Sequence, residues 1–398
     1  MCGRKYKLVG LIIFLLIFLT MYGGLNLYGF LKARRALSLG TDSSLFLMIF
    51  MIIMVFVPLL VRLSERQGFE AVARFLAFIG YFWMGLLFLF VSASLIIDFY
   101  HLLVYLTGLI LHRNFEGLHL STKVSFFIPL FVCLAIGLFG YFEAIRIRTE
   151  HVTITSTKIP KEASGLKIAQ ISDVHLGLIV RKERLKRILE QVKASEPDIL
   201  VSTGDLVDGQ MDDLSKLAGM LSKINPRYGK FAVTGNHEFY AGLGLSLAFT
   251  RQAGFTILRG EGVNVAGLIN IAGVDDPADG RNNTPKTISE KSLLSSLPHN
   301  HFTILLKHRP ILSEDGAGLF DLQLSGHTHK GQVFPMTLFT RLSFPYLAGL
   351  FNLPNNAHLY VSRGSGTWGP PIRFLSPPEV AIIELMHAEG GETDSFEK

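Results

Sequence analysis

Uncharged apolar segments in the first third of the chain restrict its fold more than any other feature. Residues 8–31 (LVGLIIFLLIFLTMYGGLNLYGFL) contain no charged side chain. They are long enough to cross a bilayer, which takes about 20 apolar residues. A cleaved signal peptide would have a shorter apolar core of ~7–15 residues, followed by a small-x-small cleavage site. The sequence therefore predicts a retained membrane span.

Further apolar segments of similar length follow at 44–61, 75–97 and 124–142. Together they predict four transmembrane helices in a membrane domain, residues 1–148, and a separate domain, residues 149–398. The apolar piece 99–111 is short for a span, yet it leaves a count of five open.

The charge distribution supports a membrane protein. Residues 1–150 hold 13 Lys and Arg against 7 Asp and Glu, so they carry the whole net charge of +6, and the remainder is balanced. Basic residues that flank apolar segments are typical of membrane proteins, whereas a nucleic-acid binder would place them on its soluble part. With four spans, eight basic residues in the inner loops against five outside favour a cytoplasmic side for residues 149–398. A fifth span would reverse that side.

Beyond about Arg148 the sequence changes to short apolar strands that alternate with helices. LKIAQIS (166–172) has the pattern of a buried strand, and residues 181–195 follow with apolar side chains at helical spacing. This alternation predicts an α/β domain. In such domains ligands bind at the ends of the strands.

Five of the predicted strands end in polar motifs: SDVHLG, TGDLVDG, TGNHEFY, KHRP and SGHTH. They supply Asp173, His175, Asp205, Asp208, Asn236, His237, Glu238, His308, His327 and His329. One such motif could be turn chemistry. Five together would leave many ionisable groups repelling or unsatisfied unless cations bound them. Oxygen and imidazole ligands without thiolate suit two divalent ions such as Mn²⁺, Fe or Zn²⁺, and disfavour Ca²⁺.

The spacing of His327 and His329 predicts extended backbone at this pair, because side chains at i and i+2 of a strand project to one side.

The ordered series DVH, GDLVDG, GNHE, a later lone histidine and GHTH resembles the calcineurin-like metallophosphoesterase superfamily over about residues 165–385. The tail, with VSRGSG and PPEVAIIEL, is similar to a membrane-associated branch. That branch includes bacterial phosphodiesterases, enzymes like UDP-diacylglucosamine pyrophosphatase, and transmembrane proteins with a metallophosphoesterase domain. The resemblance implies an αββα fold, a β-sandwich flanked by helices.

The resemblance also implies the role of each residue. One metal would be bound by Asp173, His175, Asp205 and His329. The other would be bound by Asp205, Asn236, His308 and His327, so that Asp205 bridges the two. His237 would act on the scissile phosphate as general acid, and Asp208 would orient this cluster from behind. Lys330, Arg363 and Arg373 are candidate contacts to the substrate phosphate. For Lys330 a position in solvent is the favoured alternative, and for the two arginines a structural role is an equal alternative.

Two metals ~3.5–4 Å apart lower the pKa of a bridging water and clamp the phosphate for in-line attack by hydroxide. The leading hypothesis is therefore a membrane-anchored hydrolase of a phosphoester or pyrophosphate bond, acting on a phosphorylated small molecule or a lipid-linked envelope precursor. A membrane receptor or sensor whose metal domain binds without hydrolysis is the alternative. A transporter with an attached hydrolase ranks last, because the spans lack paired charges.

Overall fold

The structure, a computed structural model, describes residues 2–209, 214–279 and 289–389. The chain divides into two compact units. One is Met1–Tyr141 together with Gly369–Ile372, and the other is Phe142–Trp368 together with Arg373–Lys398.

Four helices in the N-terminal part are long and apolar enough to cross a membrane. They are α1 (Cys2–Ala36), α2 (Thr41–Arg66), α3 (Glu70–Leu111) and α4 (Val124–Ile145). All four predicted spans lie inside these helices. The segment 99–111, which could have been a separate span, instead continues α3 as part of one uninterrupted 42-residue helix.

One acidic side chain within these helices, Asp98 of α3, has its partners on α1. It accepts a hydrogen bond from the Tyr28 hydroxyl at 2.6 Å and pairs with the Lys32 ammonium. A carboxylate in a membrane segment is costly unless it is paired. The Asp98–Lys32 pair is thus a structural contact between two helices of the first unit, and the expectation that the spans lack paired charges does not hold for these helices.

The second unit contains two six-stranded sheets. Its strands are β1 (Arg148–Ser156), β2 (Leu166–Ile171), β3 (Ile199–Ser202), β4 (Lys230–Ala232), β5 (Thr256–Ile257), β6 (Glu261–Val265), β7 (Ile269–Gly273), β8 (Phe302–Leu306), β9 (Leu322–Ser325), β10 (Gly349–Asn352), β11 (His358–Val361) and β12 (Glu379–His387). The first sheet has the order β1-β12-β2-β3-β4-β5, and the second has the order β10-β11-β9-β8-β7-β6. The strands β2, β3 and β4 run parallel in the first sheet, as do β7, β8, β9 and β11 in the second.

Six helices of the second unit are α5 (Lys182–Ala194), α6 (Ser215–Ser222), α7 (Asn236–Ala241), α8 (Leu243–Gln252), α9 (Glu290–Ser295) and α10 (Met336–Ser343). The predicted helical spacing in α5 is confirmed, since Leu185, Ile188 and Val192 are fully buried on one face.

Three apolar layers hold this unit together. One lies between the sheets, where Ile168 and Val201 of the first sheet pack with Ile304 and Leu324 of the second. The outer face of the first sheet packs on α5, α6 and α8, and that of the second sheet packs on α9. The predicted αββα architecture is confirmed.

Candidate metal centre

Strand register brings the polar motifs to one edge of the sandwich. In the first sheet Ile171 pairs with Ser202, which pairs with Ala232, so β2, β3 and β4 end side by side. In the second sheet Leu306 pairs with Leu324 at the ends of β8 and β9. The five strands are therefore not all neighbours in one sheet. Three come from one sheet and two from the other, and they converge because the sheets are stacked.

The backbone at this edge is unusual. Asp173, His175, Asp205, His327 and His329 all have left-handed φ values, between +47° and +72°. Non-glycine residues adopt this conformation only at a cost in free energy that the surroundings must offset, and such residues cluster at functional sites. The extended conformation predicted for His327-x-His329 is wrong, because β9 ends at Ser325 and both histidines lie in the turn that follows.

Three of these side chains form a first ligand group, here called site 1: Asp173, His175 and His329. The Nε2 atoms of the two histidines are 3.1 Å apart, and His329 Nε2 is 3.4 Å from Asp173 Oδ1. Asp173 is fully buried. Its two carboxylate oxygens accept hydrogen bonds from the backbone N–H of His327, which fixes the carboxylate.

A second group, site 2, consists of Asp205, His308 and His327. His308 Nε2 is 3.2 Å from Asp205 Oδ2 and 3.1 Å from His327 Nδ1. Asp205 Oδ2 is also 3.9 Å from His175 Nε2 of site 1, so this one oxygen lies between the two groups. The buried Asn236 Oδ1 has no hydrogen-bond partner among the described residues.

The electrostatics of site 2 are those of a cation site. Burial by itself lowers the pKa of His308, but the charge of Asp205 raises it to about 10. Burial and the charge of His308 lower the pKa of His327 to about 3. A proton on one imidazole thus compensates the buried carboxylate. A divalent cation would fill that role for both histidines and would satisfy the orphaned Asn236 oxygen as well, so the donor set fits a metal ion.

His237 lies beside both groups, at the start of α7. Its Nδ1 is 2.8 Å from Asp208 Oδ1, and its ring centroid is 4.7 Å from that of His175. Burial lowers the pKa of His237, but the hydrogen bond to Asp208 and the charge of Asp205 outweigh burial and raise it to about 9. The imidazole therefore carries a proton at neutral pH, as a general acid requires.

Glu238 has a role that the sequence analysis did not assign. It is buried, and its two oxygens accept hydrogen bonds from the backbone N–H groups of Gly235, Asp205, Leu206 and Val207 at 2.7–3.3 Å. It thereby fastens the turn after β3 to the turn after β4, and so holds Asp205 and Asn236 together. In the sequence, the position of Glu238 directly after His237 in the GNHE motif could have indicated this role.

Arg373 occupies a structural position, which was the alternative to a contact with the substrate phosphate. The side chain is fully buried, and its donors are used by the carbonyls of Arg363, Gly366 and Ser376 at 2.6–3.2 Å. Its Nη2 is also 3.1 Å from His329 Nδ1. Burial and this guanidinium lower the pKa of His329, which keeps the imidazole in the neutral form that binds metal.

Arg363 is likewise engaged in contacts within the protein. Its guanidinium lies between two carboxylates, pairing with Glu379 at 2.5 Å and donating a hydrogen bond to Glu150. Lys330 is half-buried and forms no ion pair among the residues that the structure describes. Its contact to substrate stays a prediction.

We expect Arg373→Met to destabilise the second unit, from here on called the catalytic unit, by about 3 kcal/mol or more, because the change leaves several buried carbonyls without a donor, each at a cost of ~1–3 kcal/mol. Arg341→Met at an exposed position of α10 is the matched control, with an expected change within about 0.5 kcal/mol. Thermal unfolding of the full chain in detergent measures both. Equal unfolding midpoints for the two variants would contradict the structural role of Arg373.

Two adjoining groups of carboxylate and imidazole, with a protonated histidine beside them, define a metal-dependent phosphoesterase at the strand ends of this sandwich. The family described as calcineurin-like phosphoesterase matches residues 166–331, which include all seven predicted ligands. The chain belongs to that family.

Its relatives are similarly described. An uncharacterized metallophosphoesterase of Aquifex aeolicus (strain VF5) is 42% identical over 64% of this chain and 98% of that protein. One from Helicobacter pylori (strain ATCC 700392 / 26695) is 36% identical over 69% and 73%. A Danio rerio protein named transmembrane protein with metallophosphoesterase domain is 30% identical over 66% and 62%. Among solved structures, a putative 5'-nucleotidase from Staphylococcus aureus aligns with a TM-score of 0.35 and 12% identity, over 58% of this chain and 56% of that one.

Proposed function

We propose that this chain is a multi-pass membrane phosphohydrolase that cleaves a phosphodiester, phosphomonoester or pyrophosphate bond on a phosphorylated small molecule or a lipid-linked substrate. The observation that carries the proposal is the His237–Asp208 pair beside two ligand groups that share Asp205. A site that only bound metal would have no use for a proton donor held next to it. The names of the relatives support the phosphoesterase class but not the substrate.

Each metal would have its own ligand set. Site 1 would use Asp173, His175 and His329, site 2 would use His308, His327 and Asn236, and Asp205 would serve both. Mn²⁺, Fe and Zn²⁺ suit these oxygen and imidazole donors. When bound, such a pair activates water near neutral pH and neutralises the charge of the phosphate.

The protein side chains supply proton transfer and orientation. His237 uses Nδ1 for Asp208, which leaves Nε2 to protonate the departing oxygen of the substrate. Glu238 holds the two turns that carry Asp205, Asn236 and His237 itself. Arg373 contacts Nδ1 of His329 and keeps that ring neutral. Proton donation and ligand orientation are thus built into separate residues.

The test is hydrolysis by the full chain in detergent. We expect Mn²⁺-dependent release of p-nitrophenol from an aryl phosphodiester, and loss of that activity on chelation and its return on adding metal back. Protein that binds metal at both sites and releases no product from aryl phosphodiester, aryl phosphomonoester or pyrophosphate would favour the sensor alternative.

The proposal also includes the topology, in which the four helices cross the bilayer and the catalytic unit lies on the cytoplasmic side. The excess of basic residues in the predicted inner loops favours a cytoplasmic catalytic unit. A green fluorescent protein fused after residue 398 should fluoresce on that side. A fusion that does not fluoresce, together with activity of an exported reporter at the same position, would contradict the cytoplasmic side.

A further inference from the structure

The charges of the catalytic unit are unevenly distributed along the chain. Residues 322–378 contain no Asp or Glu, and they contain Lys330, Arg341, Arg363 and Arg373. Because Arg363 and Arg373 are paired or buried, the cations on the surface of this stretch are Arg341, which is exposed, and the half-buried Lys330. This stretch therefore contributes cations to the surface and no acidic side chain of its own.

The same stretch exposes large apolar side chains. No residue of α10 is buried, and Leu338, Phe339 and Leu342 are 57%, 59% and 85% exposed. Leu338 and Leu342, at i and i+4, lie on one face of the helix, and Phe339 borders them within an apolar arc of about 100°. Soluble surfaces rarely expose a contiguous apolar face of this kind without a binding function.

Two further exposed apolar side chains lie on segments that are hydrogen-bonded to the chain just before α10. Trp368 and Leu375 are 56% and 58% exposed. Gln332 joins their segments to the start of α10, since its side-chain amide exchanges two hydrogen bonds with the backbone of Trp368 and its carbonyl accepts from Phe374 N–H. We call α10, Trp368 and Leu375 together the α10 face.

The α10 face is fixed rigidly to the metal centre. The Thr337 hydroxyl donates to the Lys330 carbonyl at 2.9 Å, one residue past the ligand His329. At Gly331 an added Cβ would lie 2.4 Å from the Thr337 nitrogen, so α10 abuts the ligand turn with no room to spare. Trp368 reaches the other side, with its ring 5.8 Å from that of His237.

We propose that the α10 face inserts into the boundary between headgroups and acyl chains of an anionic lipid bilayer. Helices with one apolar face and flanking basic residues lie in that boundary, and Trp is enriched there. Arg341 and Lys330 complement anionic headgroups. A bilayer is available because the same chain carries four apolar helices long enough to span one.

The docked face would hold the metal centre at the lipid surface, where a lipid-borne phosphate could reach it. Docking itself is independent of the reaction, whereas a substrate drawn from the bilayer rests on the proposed function.

The test places a fluorescent label on single cysteines of the full chain, after Cys2→Ala and Cys133→Ala. One label replaces Leu342, and the control replaces Leu245 of α8, a 63% exposed leucine outside the basic stretch. In nanodiscs of phosphatidylcholine and phosphatidylglycerol, we expect quenching by doxyl-labelled lipid at 342 and by aqueous iodide at 245. A label at 342 that iodide quenches as strongly as at 245 overturns the proposal. A label at 342 that neither quencher reaches also overturns the proposal, because contact with a second copy or with another protein would give that result.

A double variant, Leu338→Glu with Leu342→Glu, separates docking from chemistry. Both side chains are exposed, so folding should be preserved. We expect hydrolysis of the p-nitrophenyl ester of phosphatidic acid in nanodiscs to fall several-fold, while a water-soluble aryl phosphodiester is cleaved as by the unmodified chain. The control Leu245→Glu should change neither rate. An equal loss on both substrates would overturn docking as the cause. No cleavage of the soluble ester by the unmodified chain would contradict the proposed function and leave the quenching result valid.

Discussion

Asp205→Asn should abolish the binding of both metal ions and, with it, hydrolysis. The Asp205 Oδ2 atom lies 3.2 Å from His308 Nε2 of site 2 and 3.9 Å from His175 Nε2 of site 1. Asparagine keeps the shape but removes the negative charge that both sites share. Since a cation in a buried site needs such compensation, we expect at least the ~10–100-fold loss of affinity that removing a supporting residue causes. Metal analysis of the purified chain measures it directly.

Two matched variants serve as controls for the metal content of Asp205→Asn. Asn236→Ala removes a ligand of site 2 alone, so it should lower the metal content by half and spare site 1. Asp321 lies just before β9, at the end of that strand away from the metal centre, and its half-buried carboxylate pairs with Lys158. Asp321→Asn should therefore leave the metal content unchanged. Retention of either metal at full occupancy in Asp205→Asn would contradict its bridging position.

How far the sequence predicts this site depends on the kind of interaction. The gathering of the polar side chains at one place could be predicted, because carboxylates and imidazoles that directly follow apolar strands, such as Asp173 and His308, lie where parallel strands end. Backbone conformation could not: the left-handed φ of His327 and His329 is stabilised by contacts that are distant in sequence, such as Ser376 Oγ donating to the His329 carbonyl at 2.5 Å.

The sequence also did not decide between a phosphate contact and a structural role for Arg363 and Arg373. Arg363 and Arg373 both sit in polar loop motifs where a phosphate contact is plausible chemistry. Their actual partners are Glu150, Glu379 and backbone carbonyls brought near by the pairing of β12 between β1 and β2. The αββα layers were implied by family resemblance. The division of the five motifs between two sheets became visible only in the structure, because each motif follows the same strand pattern in either sheet.

His237→Ala should leave both metals bound and lower kcat by ~10²–10⁴, the usual contribution of a positioned acid. His237 belongs to neither ligand set of sites 1 and 2, and its imidazole is held by Asp208 at 2.8 Å. The loss should be larger for an alkyl phosphodiester than for a nitrophenyl ester, because a poor leaving group depends more on protonation. Parallel measurements of metal content and of kcat on the two esters check this.

The control is His301→Ala, which removes a half-buried imidazole bonded to the Gly267 carbonyl in the turn between β6 and β7, and which should change neither quantity. Asp208→Asn should give an intermediate rate, since the loss of its charge lowers the pKa of His237 and leaves less of the imidazole protonated at neutral pH. An equal loss on both esters would exclude proton donation by His237 and leave only a charge-stabilising role. No loss on either, with both metals bound, would remove the one residue that distinguishes a hydrolase here from a metal-binding sensor.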